Sequence, residues 1–273
     1  MIFEHSGLKF NIEFFHTVEN DKPFLLFLHG FTGSTDDWKP IVPHINQDFT
    51  SAGIDLIGHG KTSSPDNIEF YSADAIANQL SGIIEYLIKR KVIIIGYSMG
   101  GRATLSFAAK YPKMIEALIL ESTTPGIKDL KQRKERVKKD QEIASYIETH
   151  SLEKFADYWM DLELFNTQRR FSEEKRKQIK FARMRNNPAG LKNSLLGFGT
   201  GTMPSLFNEL KKIKSKTLLI TGGLDTKFTD INRNAVKLFP NAQHKIIKTA
   251  GHNTHLEEPK SFIETINKFL KSL

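Results

Sequence analysis

Short apolar runs alternate along this chain with longer stretches whose apolar residues recur every three or four positions. The first pattern predicts strands and the second amphipathic helices. Residues 8–15 (L-K-F-N-I-E-F-F) alternate and fit an edge strand. Residues 24–28, 49–54, 116–121, 217–221 and 244–249 are short runs that fit further strands. The run at 92–95 (V-I-I-I) is β-branched throughout, the composition of a central parallel strand buried on both faces. A helix is expected from 36 or 37 to 46, with Trp38 on its inner face. Another is expected over 71–89, where apolar residues at 73, 76, 80, 83, 84 and 87 form one stripe. Others cover 102–111, ended by Pro112, and 259–273. Near Ile231 a helix is expected to begin, with Asp230 as its cap.

Between Pro125 and about Pro204 no long β-branched run occurs. Residues 127–149 place Leu130, Val137, Ala144 and Ile147 on one stripe, and amphipathic pieces follow at 152–164, 172–185 and 189–196. Alternating strands and helices with short connections predict an α/β fold with a mostly parallel, doubly wound sheet, its ligands at the carboxyl ends of the strands. The helical stretch predicts a cap inserted between two strands. The expected division is a core of 1–124 and 205–273 with a helical cap insertion of 125–204.

Composition narrows the function classes. A chain of 273 residues can bury the core of one large α/β domain. With 39% hydrophobic and 26% charged residues, disorder and coiled coil are poor readings. No apolar run approaches the roughly 18 residues of a membrane span. The opening Ile2-Phe3-Glu4-His5 lacks a basic region followed by a long apolar one, so no leader is expected. Absence of cysteine excludes disulfides, thiolate zinc sites and a cysteine nucleophile, and a reduced cytoplasmic setting is the simplest expectation. The net charge of +8 raises nucleic acid as a partner, but the basic residues are interleaved with acids, as in 131–142. No aromatic-interleaved basic stretch occurs, so the bias better suits an enzyme that attracts a small polyanion.

The candidate chemistry begins at Gly96-Tyr97-Ser98-Met99-Gly100, which is G-x-S-x-G placed between a strand and a helix. That is the context of a nucleophile elbow, with Ser98 at a helix N-terminus that favours developing negative charge. Asp225 and His252 each follow directly on a later strand, which completes the order Ser, Asp, His. His252 is preferred to His255, and Asp225 to Asp230, on that proximity. Residues 29–34 (H-G-F-T-G-S) follow a strand and can turn a backbone N–H toward the elbow. The N–H groups of Phe31 and Met99 are therefore the candidate oxyanion hole. His59, flanked by glycines, fits a loop histidine that fixes backbone better than a base. Arg102 lies one helical turn after Ser98, so both can face one cavity. A cation there opposes the helix dipole by roughly 0.3–1 kcal/mol, so carboxylate recognition explains it better than local stability. Arg133 falls on the apolar stripe of the cap helix with Arg136 beside it, and Arg136 could instead make an exposed ion pair with Asp140 four residues on.

Taken together, the chain resembles an α/β-hydrolase. Nine pieces also look like the 2-succinyl-6-hydroxy-2,4-cyclohexadiene-1-carboxylate synthases of menaquinone biosynthesis. They are H-G-F-T-G-S, D-L-I-G-H-G-K-T at 55–62, G-Y-S-M-G-G-R at 96–102, E-S-T-T-P-G-I at 121–127 and R-K-E-R-V-K-K-D at 133–140. The others are N-P-A-G-L at 187–191, G-F-G-T-G at 197–201, G-G-L-D-T-K-F at 222–228 and G-H-N-T-H-L-E at 251–257. The first two and the Ser, Asp and His pieces are shared with many esterases. The arginine after G-Y-S-M-G-G, the E-S-x-x-P-G strand end and the basic cap helix are narrower.

The resemblance implies an α/β-hydrolase fold and a lyase that eliminates pyruvate from a small polycarboxylate, with no cofactor and no metal. It also implies that Tyr97 is an active-site tyrosine and that Arg102, Arg136 and Arg183 bind carboxylates. Arg185 stands two residues off that match, and either could face the substrate; Arg133 likewise competes with Arg136. Tyr158 or Trp159 could line the pocket, core packing being the other role open to Trp159. Competing readings are a carboxylesterase, thioesterase or carbon–carbon bond hydrolase with the same triad, and a ligand receptor without activity.

Overall fold

A computed structural model describes residues 1–273 other than 17, 18, 20, 46 and 47. At its centre runs β5 (Val92–Tyr97), buried at every position, as its β-branched run requires. Around it stand β1 (Ile2–His5), β2 (Leu8–Phe14), β3 (Phe24–Leu28), β4 (Thr50–Ile54), β6 (Ile115–Glu121), β7 (Lys216–Gly222) and β8 (Ala242–Ile247). The eight strands form one sheet in the order β1-β2-β4-β3-β5-β6-β7-β8. From β4 to β8 every pairing is parallel, and only β2 runs antiparallel to its neighbours β1 and β4. The chain therefore has the mostly parallel α/β sheet that its alternation predicts.

The main helices are α1 (Ala73–Ile83), α2 (Met99–Lys110), α3 (Leu130–Thr149), α4 (Leu152–Met160), α5 (Glu173–Arg183), α6 (Pro188–Phe198), α7 (Thr226–Ala235), α8 (Thr254–Glu257) and α9 (Pro259–Leu270). One apolar cluster packs α1 and α2 on one face of the sheet; a second packs Trp38 and α9 on the other. A third, built on Ile143, Ile147, Phe155, Trp159, Phe165 and Leu191, lies wholly among the helices between β6 and β7. Among the described residues no helix is long and apolar enough to cross a membrane.

Several elements differ from expectation. The N-terminal strand β1 was hidden in a four-residue segment too short to show a period. The helix expected from 36 or 37 is two 3₁₀ turns, Thr35–Trp38 and Val42–His44, because Pro40 and Pro43 remove donors a longer helix needs. Its expected end at Asn46 lies outside the described residues. The stripe over 71–89 covers α1 and a π turn at Ile84–Ile88, closed by Lys89 with φ of 58°. The helix after the elbow starts three residues before Arg102, at Met99.

Leu130 is 72% exposed and does not share the buried stripe of α3, which runs through Asp140, Ile143, Ala144 and Ile147. At 100° per residue Leu130 stands roughly 80° around the helix from Asp140, whereas Arg133 and Arg136 fall close to the stripe. The helix near Ile231 begins instead at Thr226, and Asp225 caps it by accepting the Phe228 N–H at 3.1 Å. Asp230 lies within that helix and pairs with Arg233 at 2.7 Å.

The sheet and α2 cross unusually closely. A Cβ on Gly100 would stand 2.2 Å from the Leu28 carbonyl oxygen and 2.6 Å from that of His29, both backbone atoms of the strand end and loop that face the elbow. Nothing flexible can yield there. Gly100→Ala is expected to lower stability by about 1–3 kcal/mol, the usual cost of overpacking. A urea midpoint equal to that of the unmodified protein would show that α2 can move away freely.

Candidate active site

Ser98 sits between β5 and α2 with φ of 49° and ψ of −102°, a conformation that side-chain-bearing residues rarely adopt. Such backbone strain costs on the order of 1–3 kcal/mol and persists only where the surroundings over-determine it. Here they do. The Ser98 N–H is held by the Glu121 carbonyl at 2.8 Å, and the Ser98 carbonyl accepts from Arg102 N at 3.0 Å as the first turn of α2. The side-chain oxygen is thereby left above the carboxyl edge of the sheet.

His252, 1% exposed, follows β8 and brings Nε2 to 3.0 Å from Ser98 Oγ. Its Nδ1 stands 2.6 Å from Asp225 Oδ2. An ionised carboxylate only accepts, so Nδ1 carries the proton and Nε2 is free to accept from the serine hydroxyl. The second oxygen of Asp225 caps α7, which fixes the carboxylate plane from the other side. Phe228, on that helix, lies edge-on to the imidazole at 4.4 Å between ring centroids. The three residues named from their strand ends are thus joined by two hydrogen bonds.

The loop after β3 is built from buried polar contacts. His29 accepts the Leu56 N–H at Nε2, 3.0 Å, so its Nδ1 carries the proton toward the Gly30 carbonyl at 2.7 Å. Thr32 has φ of 67°, and Asn186 bridges its carbonyl at 2.8 Å to the Gly60 N–H at 2.9 Å. Phe31 and Met99 both line the cavity that holds Ser98. Met99 opens α2, so its N–H has no acceptor within the helix. His59 does not reach the serine; it lies fully buried with Nδ1 at 3.1 Å from the Ile57 carbonyl and Nε2 unpartnered. Burial, helped by His29, pushes its pKa down to about 3.

A cavity of about 990 Å³ separates the sheet edge from the helices at 130–198, and Tyr97, Ser98, His252, Arg102, Arg136 and Arg183 all line it. Arg102 is 9% exposed, stacks on Phe198 at 4.7 Å, and donates to the Phe198 carbonyl and to Met203 Sδ. Burial, then repulsion from Arg136, lowers its pKa to about 9, which leaves it charged at neutral pH. Arg136 does pair with Asp140, at 2.8 Å, but that carboxylate is buried, not on an exposed face. Arg183 donates to the Thr32 hydroxyl and lies 5.3 Å from the centre of the Phe165 ring.

The competing residues are placed differently in the structure. Arg185 turns away to Asp36, and Arg133 donates to the carbonyls of Gly201, Thr202 and Met203. Trp159 both lines the cavity and belongs to the helical segment's buried cluster, whereas Tyr158 stacks outside on Tyr146.

Three further residues at or behind the cavity wall belong to the site although they were not assigned to it from the sequence. Glu121 closes the apolar run 117–120 of β6 and is fully buried, accepting from His255 Nδ1 at 2.7 Å, His255 N at 3.0 Å and Thr254 Oγ1 at 2.7 Å. His255 lines the cavity, stacks on Trp38 at 4.4 Å and packs edge-on against Tyr97. A glutamate ending an apolar run was the clue to this pair. Asp37 also lines the cavity, and burial raises its pKa against the pull of His29, His255 and Arg183. Burial likewise holds the Tyr97 phenol well above its ordinary range, with Glu121 adding to it.

Residues 23–259 match the family model of the alpha/beta hydrolase fold. The chain belongs to the α/β-hydrolase family. Within it, this α/β-hydrolase is 42% identical over 93% of its length, and 92% of the relative's, to a Bacillus subtilis protein provisionally named 2-succinyl-6-hydroxy-2,4-cyclohexadiene-1-carboxylate synthase. The synthase of that name from Serratia proteamaculans is 28% identical over 92% of this chain and 94% of its own. Among solved structures, MenH from S. aureus superposes with a TM-score of 0.90 at 33% identity, covering 96% of this chain and 98% of that one. A Thermogutta terrifontis esterase shares the fold at a TM-score of 0.85 and 21% identity, over 99% and 96% of the two chains.

Two outcomes follow for this α/β-hydrolase. Arg102→Met keeps the side-chain bulk and removes the charge, so it should cost about 2–5 kcal/mol in kcat/KM toward a carboxylate substrate while the fold survives. Near-normal kcat/KM would detach Arg102 from substrate binding. For His59 the folded state binds a proton less readily than the unfolded one, since its pKa falls from 6.5 to about 3. Its stabilisation is therefore complete above pH 6.5 and is lost as pH falls toward 3, by up to about 1.4 kcal/mol per pH unit. Urea midpoints of His59→Gln should decline less between pH 7 and 4 than those of the unmodified protein. Parallel declines would place the acid sensitivity elsewhere.

Proposed function

We propose that this α/β-hydrolase removes pyruvate from 2-succinyl-5-enolpyruvyl-6-hydroxy-3-cyclohexene-1-carboxylate, giving 2-succinyl-6-hydroxy-2,4-cyclohexadiene-1-carboxylate for menaquinone biosynthesis. The observation that carries this reading is Arg102. It is a buried guanidinium that makes no direct hydrogen bond or ion pair with a carboxylate among the described residues, and it shares one cavity with Ser98. An esterase acyl pocket has no use for such a group. The names carried by the relatives point to the same chemistry. A chain without cysteine also suits a reducing cytoplasm.

In this reading the helices at 130–198 form the cap over the site. Arg102, Arg136 and Arg183 take the substrate carboxylates, with Tyr97 beside the reacting ring. Ser98 Oγ abstracts the ring proton α to the succinyl ketone as its own proton passes to His252 Nε2, so no free alkoxide forms. Asp225 keeps the imidazole in the tautomer that can accept and stabilises the imidazolium that results. Negative charge moves onto the ketone oxygen, where the N–H groups of Phe31 and Met99 receive it. Collapse of the enolate expels the enolpyruvyl oxygen. The proton held by His252 returns to the leaving group, which ketonises to pyruvate. No acyl group is carried by the enzyme at any stage.

The test is to incubate the protein with the enolpyruvyl substrate, assay pyruvate and record intact mass during turnover. Pyruvate release without an adduct is expected, and Ser98→Ala should lose several orders of magnitude in rate. An adduct on Ser98 that forms and decays at the turnover rate would replace proton transfer with acyl transfer.

A further inference from the structure

Where Arg102 and Arg136 line one end of the cavity, Asp140 lies behind them within electrostatic reach of both. Asp140 is 1% exposed, and its Oδ1 accepts from Arg136 Nε at 2.8 Å. Its Oδ2 is buried without a hydrogen-bond partner among the described residues; burial raises the pKa of the carboxyl, against the pull of Arg136, Arg102 and the Gly201 N–H. Helix stability does not account for a carboxylate here. An i,i+4 pair on a helix surface is worth about 0.3–0.5 kcal/mol, whereas removing a carboxylate from water costs several.

Charge balance does account for it. Two guanidinium groups facing one cavity repel each other, and Arg136 is the main charge that weakens Arg102 as a base. With Asp140 ionised, two positive charges and one negative leave a single positive charge at this end. Lys139 also reaches the cavity but is exposed, where solvent screens it. A singly charged carboxylate would neutralise the group, while a dianion would leave an uncompensated negative charge out of water. We propose that Asp140 is a specificity-determining residue that sets this end of the cavity to accept one singly charged carboxylate and to reject dianions. The carboxylate is taken to be one of the substrate's, so this proposal rests on the function above, but its test needs no turnover.

Calorimetric titration with cyclohexanecarboxylate and with inorganic sulfate measures the preference directly. The unmodified protein should bind the carboxylate in preference to sulfate. In Asp140→Asn, which keeps the shape, sulfate affinity should rise on the order of tenfold or more, and the preference should narrow or invert. The double variant Arg136→Met with Asp140→Asn again has one net positive charge, so its preference should return toward that of the unmodified protein. A purely structural role for Asp140 would leave the double variant no better than the single one. An unchanged ratio of sulfate to carboxylate affinity in Asp140→Asn would overturn the proposal. Should that variant fail to melt cooperatively, Arg136→Met alone decides: with no net charge it should lose both anions, and retention of sulfate binding would overturn the proposal equally. Failure of the pyruvate assay while the anion preferences shift as stated would sink the lyase reading and leave the charge rule standing.

Discussion

The site depends on how closely one helix passes the end of one strand. At Gly100 the backbone of α2 lies against the carbonyls of Leu28 and His29, with no room for a side chain. That contact holds the first turn of α2 beside the loop that carries Phe31, so that residues 31 and 99 line the same cavity. It also forces Ser98 into its positive φ, because the chain must reverse from β5 into α2 within one residue. Strain at the serine and the nearness of α2 to the loop after β3 have the same origin.

Around this crossing the buried polar groups are tied into pairs. Asp225 serves His252 with one oxygen and α7 with the other, and Glu121 anchors His255 and Thr254. Asp55 accepts the Thr35 N–H at 2.7 Å and the Lys61 N–H at 2.9 Å, and so fixes the loops after β3 and β4 to each other. A carboxylate that accepts several hydrogen bonds has both its oxygens fixed in place. The positions of Ser98, His252 and Phe31 are thereby set by groups that do not themselves touch the cavity's centre.

Much of this was readable because strand ends announce themselves. Ser98, Asp225 and His252 each stand just after an apolar run, and a parallel sheet gathers the carboxyl ends of its strands on one edge. Side-chain direction on helices was harder. Arg183 and Arg185 are two residues apart at the close of α5, roughly 200° around a helix, so one faces the cavity and the other Asp36. Leu130 suggested the wrong face for the start of α3, since the true inward stripe there is made of arginines and Asp140, which hydrophobic periodicity cannot see. Asp230 was expected to cap the helix and Asp225 to serve the site, yet Asp225 does both, capping α7 with one oxygen and meeting His252 with the other. Pairs distant in sequence, such as Glu121 with His255, leave no local trace beyond a charged residue where an apolar one is expected.

Arg102 has one more property that its place in the chain makes consequential. It belongs to α2, in the sheet's own core, yet its guanidinium grips the carbonyl that ends α6 and the sulfur of Met203. The side chain is a clasp between the two halves of the cavity. An anion arriving at Arg102 therefore meets a donor already committed to holding the roof. If the proposed carboxylate takes that donor, occupancy of the site and the free energy of the roof's attachment are linked quantities, and each must bias the other by the same factor. Amide protons near Phe198 and Met203 would exchange with solvent at a rate that reports, from outside the reaction, how full the site is.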